Sequence, residues 1–274
     1  MNNEKEQKKE IKICLVDYIQ IKGKIICETG LTIGTGDVFG IGGLDKKVIR
    51  TGRDNNPYIP GSSLKGKMRH LFELMSDKLI DKNEEVHSCF NPECEICRIF
   101  GAANNEPRNN NEREAIKKRG PTRLIVRDAH LVTDHQIAKD YHERNGKYTE
   151  IKPENVINRF SGIATPRHFE RVPAGIAFHL DVVYRQFEIK EINGKSETSH
   201  CDKNTAQTDI QHILKALSYV HRDYLGASGS RGYGKVKFKL DKKETTDIAI
   251  DWINEEIDKC LPGVCWSHST TDDD

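Results

Sequence analysis

Long apolar runs are missing from this sequence of 274 residues. No segment approaches the roughly 18 consecutive apolar residues that a membrane-spanning helix needs. The opening residues, MNNEKEQKKE, also lack the apolar core of a secretory signal peptide. These two absences predict a soluble, cytoplasmic protein.

Hydrophobic residues account for only 36% of the chain, and charged residues account for 31%. Such polar composition is also found in disordered chains. Here, however, Val, Ile, Leu and Phe recur in periodic runs along most of the length. The sequence therefore predicts a folded protein with long polar insertions, long enough to bury a sizeable core.

The eight cysteines have no oxidising compartment in which to form disulfides if the protein is cytoplasmic. A cluster among them therefore indicates a metal site. His87, Cys89, Cys94 and Cys97 have the spacing H-x-C-x4-C-x2-C. Three thiolates and one imidazole can surround a tetrahedral Zn2+ and leave no open coordination position. The sequence predicts a structural zinc site.

Charge is distributed unevenly along the chain, although the formal net charge is only +1. Residues 241–274 contain ten acidic and three basic side chains, so the first 240 residues carry a net charge of about +8. A basic body of this kind suits a polyanionic partner. Charge alone fits a solvated surface of mixed sign equally well.

The hydrophobic periodicity predicts six main elements in the order strand, helix, strand, strand, helix, strand. This is the split arrangement of ferredoxin-like domains, which RNA-binding modules often use. The predicted fold class is therefore α+β, with a ferredoxin-like βαββαβ core and large insertions. The predicted strands are 11–27, 122–132, 176–184 and 236–240, and the predicted helices begin at Gly61 and Ile210.

All of residues 1–274 are assigned to a single elaborated domain, with additions to its core. Residues 81–121 form an insertion that contains the zinc ligands, followed by an Asn-rich run that predicts a mobile loop. A second insertion covers residues 151–175. Residues 241–274 form an acidic C-terminal extension, within which residues 248–260 predict a helix.

Two segments are candidates for phosphate binding. The first is the start of the helix at Gly61, where Ser62 and Ser63 precede three basic residues, Lys65, Lys67 and Arg69. Basic residues in a first turn oppose the helix dipole, so a bound anion would explain them; a solvated face is the alternative. The second is the glycine-rich segment GASGSRGYG, which contains Gly229 and Arg231. Its end and the following residues, RGYGKVKF, resemble an RNA-recognition signature, but they open the fourth strand instead of lying on the third. A flexible turn is the alternative for the glycine-rich segment.

Another glycine-rich segment, IGTGDVFGIGGLD, contains two carboxylates, Asp37 and Asp45. Its glycine spacing is not that of a nucleotide-binding loop. A carboxylate here can bind a divalent cation beside a phosphodiester. Either aspartate can equally be a turn residue. No serine or cysteine of the chain stands in the setting of a catalytic nucleophile.

Four stretches, in order and spacing, resemble the backbone subunits of type III-A CRISPR-Cas effectors, the Csm complexes, which belong to the RAMP superfamily. These stretches are TGLTIGTGDVFGIGGLD, VIR, PYIPGSSLKGKMR and ASGSRGYGKVKF. The match covers most of residues 11–240.

The resemblance implies a modified RNA-recognition fold whose copies assemble along a guide RNA. A thumb hairpin, here residues 151–175, would interrupt the guide–target duplex at regular intervals. The aspartate that ends GIGGLD, Asp45 and not Asp37, would support cleavage of target RNA with Mg2+ or a similar ion. Thr32 stands where relatives usually carry a histidine that contacts guide RNA. The residues implied in RNA binding are Ser62, Ser63, Lys65, Lys67, Arg69, Arg159, Gly229 and Arg231.

The function implied is that of a backbone subunit that binds guide RNA and cleaves complementary target RNA, together with other copies of itself and other subunits. A non-catalytic, structural guide-RNA-binding scaffold is one alternative. A free-standing zinc-containing RNA-binding protein is the other. The zinc ligands fit relatives that carry zinc in the same insertion.

Overall fold

A long antiparallel pair of strands forms the centre of the fold in the computed structural model. The structure describes residues 10–34, 47–77, 86–102, 106–193, 196–199, 203–242, 245 and 265–266. The strands are β1 (Glu10–Cys27), β2 (Tyr58–Ile59), β3 (Leu124–Val126), β4 (Ala129–His130), β5 (Glu150–Ile157), β6 (Ala164–Arg171), β7 (Ala177–Asn193), β8 (Ser196–Ser199), β9 (Val236–Leu240) and β10 (Cys265–Trp266). The helices are α1 (Gly61–Met75), α2 (Glu95–Phe100), α3 (Asn110–Arg119), α4 (Gln136–Asn145) and α5 (Lys203–Arg222).

The main sheet has the strand order β10-β9-β1-β7-β3, and β8 pairs with β7 at its far end. β1 is antiparallel to both β7 and β9, and β3 is antiparallel to β7. The short β10 pairs parallel to β9. Two further pairs, β2–β4 and β5–β6, lie outside this sheet. The architecture is thus a mixed α/β fold on a mainly antiparallel sheet.

Alternation along β1 decides which side chains enter the core. Ile19, Ile21 and Ile25 are completely buried, and they lie opposite Tyr184, Val182 and Phe178 of β7. The residues between them, such as Lys22 and Lys24, are only half-buried. Burying an isoleucine or leucine side chain contributes about 1.5–3 kcal/mol. The strand period therefore specifies its register strongly.

α1 and α5 pack against each other, and each contributes to the same hydrophobic cluster as the sheet. α1 buries Leu64, Met68 and Phe72, which follow the helical repeat. The larger apolar face of α5 is equally regular, and its buried hydrophobic residues are Ala206, Ile210, Ile213, Leu214, Ala216, Leu217 and Val220.

The elements β1, α1, β3, β7, α5 and β9 follow one another in the predicted order. The predicted strand 122–132, however, is divided in two. Its first part, β3, pairs with β7, whereas its second part, β4, pairs with β2. The carboxylate of Asp128, between them, accepts a hydrogen bond of 2.8 Å from the backbone amide of Gly61. This contact draws the chain towards the start of α1.

The prediction of a mobile loop in the Asn-rich run NNEPRNNNERE is wrong for residues 110–114, which belong to α3. The side chain of Asn109 accepts a hydrogen bond of 2.9 Å from the backbone amide of Glu112. The carboxylate of Glu112 in turn accepts one of 2.6 Å from the amide of Arg108. These reciprocal bonds satisfy amides that a helix start leaves unpaired.

Most of the C-terminal extension, including the predicted helix 248–260, lies outside the described residues. Where the extension is described, it returns to the sheet: Thr245 accepts a bond of 3.3 Å from the amide of Lys22, and β10 pairs with β9. None of the helices that the structure describes is long and apolar enough to cross a membrane.

Candidate metal centre and nucleic-acid interface

The four predicted metal ligands converge on one point. Their donor atoms, one from each of His87, Cys89, Cys94 and Cys97, all lie within 4.8 Å of one another. The Sγ atoms of Cys89 and Cys97 are 3.8 Å apart, and Nε2 of His87 is 3.3 Å from Sγ of Cys94. The cluster can therefore hold a metal ion.

Helix α2 positions two of the thiols, because Cys94 is its N-cap and Cys97 lies in its first turn. Hydrogen bonds from Cys97, and then from His87 and Cys89, lower the pKa of Cys94 to about 4 against the effect of burial. The hydrogen bond to Cys94 and burial both raise the pKa of Cys97. Burial raises the pKa of Cys89. One thiolate is thus favoured without a metal, and the other two thiols must lose their protons when a cation binds.

The serines at the start of α1 are accessible to different extents: Ser62 is exposed and Ser63 is half-buried. Nζ of Lys65 donates a hydrogen bond of 2.9 Å to the backbone carbonyl of Leu124. Burial, followed by the charges of Arg69 and Arg185, lowers the pKa of Lys65. This lysine is therefore placed where a further negative charge would stabilise its charged form.

Lys67 and Arg69 both have partners within the protein. Nζ of Lys67 lies 2.6 Å from a carboxylate oxygen of Asp223 and 3.8 Å from the ring centre of Tyr224. Nε of Arg69 bonds to Glu73 at 2.7 Å. These contacts explain the basic residues near the start of α1 without a bound anion. Their predicted role in RNA binding stays a prediction.

The glycine-rich segment after α5 includes a 3-10 turn, Gly229–Arg231, in which Arg231 is exposed. A Cβ atom at position 229 would lie within 2.0–2.2 Å of the ring of Tyr224, so close packing alone requires a glycine there. Gly234 has φ +73°, and a Cβ atom at this position would lie only 2.0 Å from the carbonyl oxygen of Leu225. These two glycines are therefore explained by packing and backbone conformation, and the phosphate-binding role of Gly229 stays a prediction.

The segment Gly30–Gly34 is where the predicted RNA-binding and catalytic segments meet. Leu31 pairs with Val172 at the base of the β5–β6 hairpin through hydrogen bonds of 2.9 and 2.8 Å. The glycine-rich segment reaches the same place, since the amides of Ala227 and Gly234 donate to the carbonyls of Thr32 and Gly30 at 2.8 and 2.9 Å.

Residues 35–46, which include Asp37 and Asp45, lie outside the described residues. Both ends of this segment are nevertheless placed by a bridge between Gly34 and Val48 and by a bond of 2.9 Å from the amide of Ile49 to the carbonyl of Ile33. The segment predicted to carry the catalytic aspartate thus starts and ends beside the hairpin base and the glycine-rich segment.

Thr32 occupies the position at which the resemblance leads us to expect a histidine. Its side chain is only 2% exposed, and its hydroxyl donates a hydrogen bond of 3.0 Å to the backbone carbonyl of Glu170. Thr32 therefore presents no exposed side-chain donor to a ligand.

The β5–β6 hairpin projects an exposed tip. Arg159 and Phe160 lie in its turn, Phe160 is fully exposed, and Ile163 is 66% exposed. The side-chain oxygen of Asn158 accepts bonds of 2.9 and 3.1 Å from the amides of Phe160 and Ser161 and so shapes the turn. Arg159 is therefore available to a partner.

Glu170 anchors the base of this hairpin. Its buried carboxylate accepts hydrogen bonds from the amide of Val48 at 3.0 Å, from the hydroxyl of Thr149 at 2.8 Å and from Arg50. Burial raises its pKa, but these hydrogen bonds outweigh that effect and hold the pKa below its usual value. No sequence pattern indicated the roles of Glu170 and Arg50, because no local pattern joins residues 120 positions apart.

Comparison with known proteins gives a consistent result. The family model described as the RAMP superfamily matches residues 24–237. The protein named "CRISPR system Cms endoribonuclease Csm3" from Methanothermobacter thermautotrophicus is 38% identical over 237 residues, which are 81% of this chain and 84% of that protein. Its namesake from Methanocaldococcus jannaschii is 34% identical over 91% of this chain and 99% of that protein.

Solved structures show the same similarity. The crystal structure of Methanopyrus kandleri Csm3 matches with a TM-score of 0.54 and 29% identity, over 83% of this chain and 76% of that one. A chain in the cryo-EM structure of the Type III-B Cmr-beta bound to cognate target RNA matches with a TM-score of 0.50 and 15% identity, over 81% and 60% of the two chains. This last similarity concerns the fold alone.

Proposed function

This chain belongs to the RAMP superfamily, and from that premise we propose that it is a backbone subunit of a type III CRISPR effector complex. It binds guide RNA along repeated copies of itself and cleaves complementary target RNA at regular intervals. Its partners are the guide RNA, the target RNA, further copies of the chain and other subunits of the complex. The endoribonuclease names of the relatives support the enzymatic assignment.

The observation that carries this proposal is the convergence at Gly30–Gly34. The hairpin base, the glycine-rich segment and both ends of the segment with Asp45 meet there through backbone hydrogen bonds. α1 joins the same assembly through the ion pair between Lys67 and Asp223, since Asp223 precedes the glycine-rich segment. An RNA strand that follows this assembly would reach the guide-binding residues and the cleavage segment together.

The core of this assembly is proposed to be ferredoxin-like. The elements β1, α1, β3, β7, α5 and β9 have the chain order βαββαβ, and the strands among them lie in the order β9-β1-β7-β3. Both features support the modified RNA-recognition fold that the resemblance implies. The β5–β6 hairpin is the proposed thumb, and its exposed tip carries Arg159.

The proposed RNA contacts differ in accessibility. Ser62, Arg159 and Arg231 are exposed, so they can meet a phosphate directly. Lys65, Lys67 and Arg69 already have partners within the protein. Lys67 would need to share its charge between Asp223 and a phosphate. We therefore assign the larger share of guide binding to the exposed residues and to the amides near Gly229.

Asp45 is the proposed catalytic carboxylate. A single carboxylate cannot act as both acid and base, so cleavage depends on the geometry of the RNA. At a kink made by the thumb, the 2'-hydroxyl can align for in-line attack on the adjacent phosphodiester. A bound Mg2+ or similar ion would supply Lewis acidity at the phosphate. Asp45, whose carboxylate suits such a hard cation, would hold it and orient the attacking hydroxyl.

The metal held by His87, Cys89, Cys94 and Cys97 is proposed to be a structural Zn2+. For zinc–sulfur bonds of about 2.3 Å, tetrahedral geometry places two sulfurs about 3.8 Å apart. The Cys89–Cys97 separation of 3.8 Å supports this assignment. A set of three sulfurs and one imidazole also suits zinc, whereas Mg2+ and Ca2+ prefer oxygen donors.

A non-catalytic guide-binding scaffold is the competing function, and it differs from the proposal only at Asp45. Cleavage of target RNA by the assembled complex that carries Asp45→Ala decides between them. Loss of cleavage with intact assembly and target binding supports the proposal. Undiminished cleavage contradicts the role of Asp45, and absence of cleavage by the unmodified complex favours the scaffold.

A further inference from the structure

We propose that Arg69 and Glu73 are positioning residues for the metal ligand His87 and that, through them, metal occupancy is coupled to the RNA-binding end of α1. The first part concerns the metal centre alone. The second part rests on the proposed function. Together they give Arg69 a main role that differs from its predicted contact with RNA.

The pair holds both backbone polar groups of His87. Oε1 of Glu73 accepts a hydrogen bond of 3.2 Å from the amide of His87. Nη2 of Arg69 donates one of 2.6 Å to the carbonyl of His87. Arg69 and Glu73 are also bonded to each other at 2.7 Å, at the i,i+4 spacing of a helix. The backbone of one metal ligand is therefore fixed by two side chains of α1.

The low exposure of this pair indicates that its main contacts are within the protein. The side chain of Glu73 is 2% exposed and that of Arg69 is 14% exposed. A buried ion pair is stable only if its remaining polar atoms are also satisfied. Here the amide of His87 bonds to Glu73, and the carbonyl of His87 bonds to Arg69. An arginine with this exposure, which already uses Nε and Nη2, has little left to offer a phosphate.

His87 needs such support more than the cysteines of α2 do. It lies in a segment, residues 86–94, that has no regular secondary structure. Cys94 and Cys97 are instead fixed by α2, which packs against α1 through Phe72 and Phe100, with ring centres 6.0 Å apart. The imidazole can reach the three sulfurs only if its own backbone is held, and α1 supplies that constraint.

The same contacts connect the metal to the start of α1. Arg69 lies one turn after Lys65, and Lys67 lies between them on the helix. If the metal leaves, the segment with His87 loses its tie to the cysteines. Movement of His87 would then remove the hydrogen bonds of Glu73 and Arg69 to its amide and carbonyl, and buried polar groups without partners are destabilising. We therefore expect α1 to become less rigid when the metal is removed.

The first experiment measures metal affinity on the full-length protein, by chelator competition for Zn2+ and by the thiolate-to-cobalt charge-transfer band of the Co2+ form. Arg69→Ala and Glu73→Ala should each lower affinity about tenfold or more, as loss of a partner that supports a metal ligand does. Glu73→Gln, which keeps an acceptor for the amide of His87, should restore part of it. Arg113→Ala, at an exposed arginine of α3, is the matched control and should change nothing.

The second experiment measures hydrogen exchange of residues 61–75 and guide-RNA binding, with Zn2+ bound and after chelation. Chelation should speed exchange in α1 about tenfold and weaken RNA binding. Lys67→Ala should weaken RNA binding while Zn2+ affinity stays unchanged. Arg69→Ala should lower Zn2+ affinity, and at saturating Zn2+ it should weaken RNA binding less than Lys67→Ala does.

Each outcome has a definite meaning. Metal affinities of Arg69→Ala and Glu73→Ala equal to the wild-type value would overturn the positioning role. Unchanged exchange in α1 after chelation would overturn the coupling. If the zinc-loaded wild-type protein binds no guide RNA, the proposed function fails, whereas the metal and exchange measurements still decide the inference.

Discussion

The hydroxyl of Tyr233 donates a hydrogen bond of 2.6 Å to the carboxylate of Glu154. The bond joins the glycine-rich segment to β5 of the hairpin, between residues 79 positions apart. Nζ of Lys152 and the guanidinium of Arg171 also lie over the Tyr233 ring, at 4.6 and 5.2 Å from its centre. The hairpin is thus braced on this side by Tyr233 and on the other by the contacts of Glu170 with Val48 and Arg50.

The bond from Tyr233 should make the stability of the hairpin depend on pH. It is the largest of the effects that lower the pKa of Glu154 below its ordinary value of 4.5. A carboxyl group with a lowered folded-state pKa stabilises the fold above its unfolded-state pKa, and the contribution is lost as the pH falls through the folded-state value. We expect wild-type protein to lose this contribution below about pH 4.5.

Tyr233→Phe should cost about 1 kcal/mol at neutral pH. It should also raise the pKa of Glu154 towards its ordinary value and so reduce the loss of stability in acid. NMR titration of Glu154 and urea unfolding at several pH values measure both effects. An unchanged pKa of Glu154 in the variant would contradict the assignment.

Asp45→Ala should abolish cleavage of target RNA by the assembled complex, while assembly and target binding persist. The reason is the loss of the carboxylate that would hold a cation and orient the attacking hydroxyl. Asp37→Ala is the matched control, because it removes the other aspartate of the segment IGTGDVFGIGGLD and should leave cleavage intact. Equal losses in the two variants would assign the effect to the segment as a whole.

In-line attack by the 2'-hydroxyl makes a separate prediction about the substrate. A target with a single 2'-deoxy nucleotide on the 5' side of a cleaved bond should bind normally but stay uncut at that position, because the nucleophile is missing. Cuts at the other positions of the same target serve as the internal control. Normal cleavage at the deoxy position would show that water, and not the 2'-hydroxyl, attacks.

Elemental analysis should find about one equivalent of zinc per chain, held by four ligands. Cys94→Ser should lose this zinc and destabilise the insertion that contains the ligands, because one of them is gone. Cys14→Ser, on β1 and outside the cluster, should keep both the zinc and the stability. A zinc-free wild-type protein that is fully folded would refute a structural site.

The largest loss of stability is predicted for a substitution of Asp209. Its carboxylate is fully buried and bonds to Arg98 at 2.6 Å, to Arg123 at 3.0 Å and to the hydroxyl of Tyr184 at 2.8 Å. Asp209→Asn leaves two buried guanidinium groups without a counter-charge and should cost about 3–5 kcal/mol, measured by urea unfolding.

Asp134→Asn, at an exposed aspartate, serves as the control for Asp209→Asn and should change stability by less than about 0.5 kcal/mol. Similar stability of the two variants would show that the buried network contributes little.

The fold was predictable where hydrophobic residues recur with the period of a strand or of a helix. Alternation in the second half of β1 and the helical repeat in α5 determine which side chains are buried. Both elements are present, although Ile13 and Leu15 of β1 are exposed and α5 begins at Lys203, seven residues before the predicted start. α3 was missed although Asn109 and Glu112 form a recognisable cap, because the composition of the run outweighed this local signal. The division of strand 122–132 depends on Asp128 and the amide of Gly61, which no local pattern links.

The sequence by itself determined the metal cluster, because its four ligands fall within eleven consecutive residues and short spacings limit their geometry. Through the family resemblance, it also predicted RNA-binding roles for particular segments. Only the tertiary structure decided what each basic residue contacts: Arg69 turned out to bond to Glu73 and His87. It likewise brought Glu154 to Tyr233. The physical reason is that a buried charge is tolerated only beside a partner, and that partner can lie anywhere along the chain.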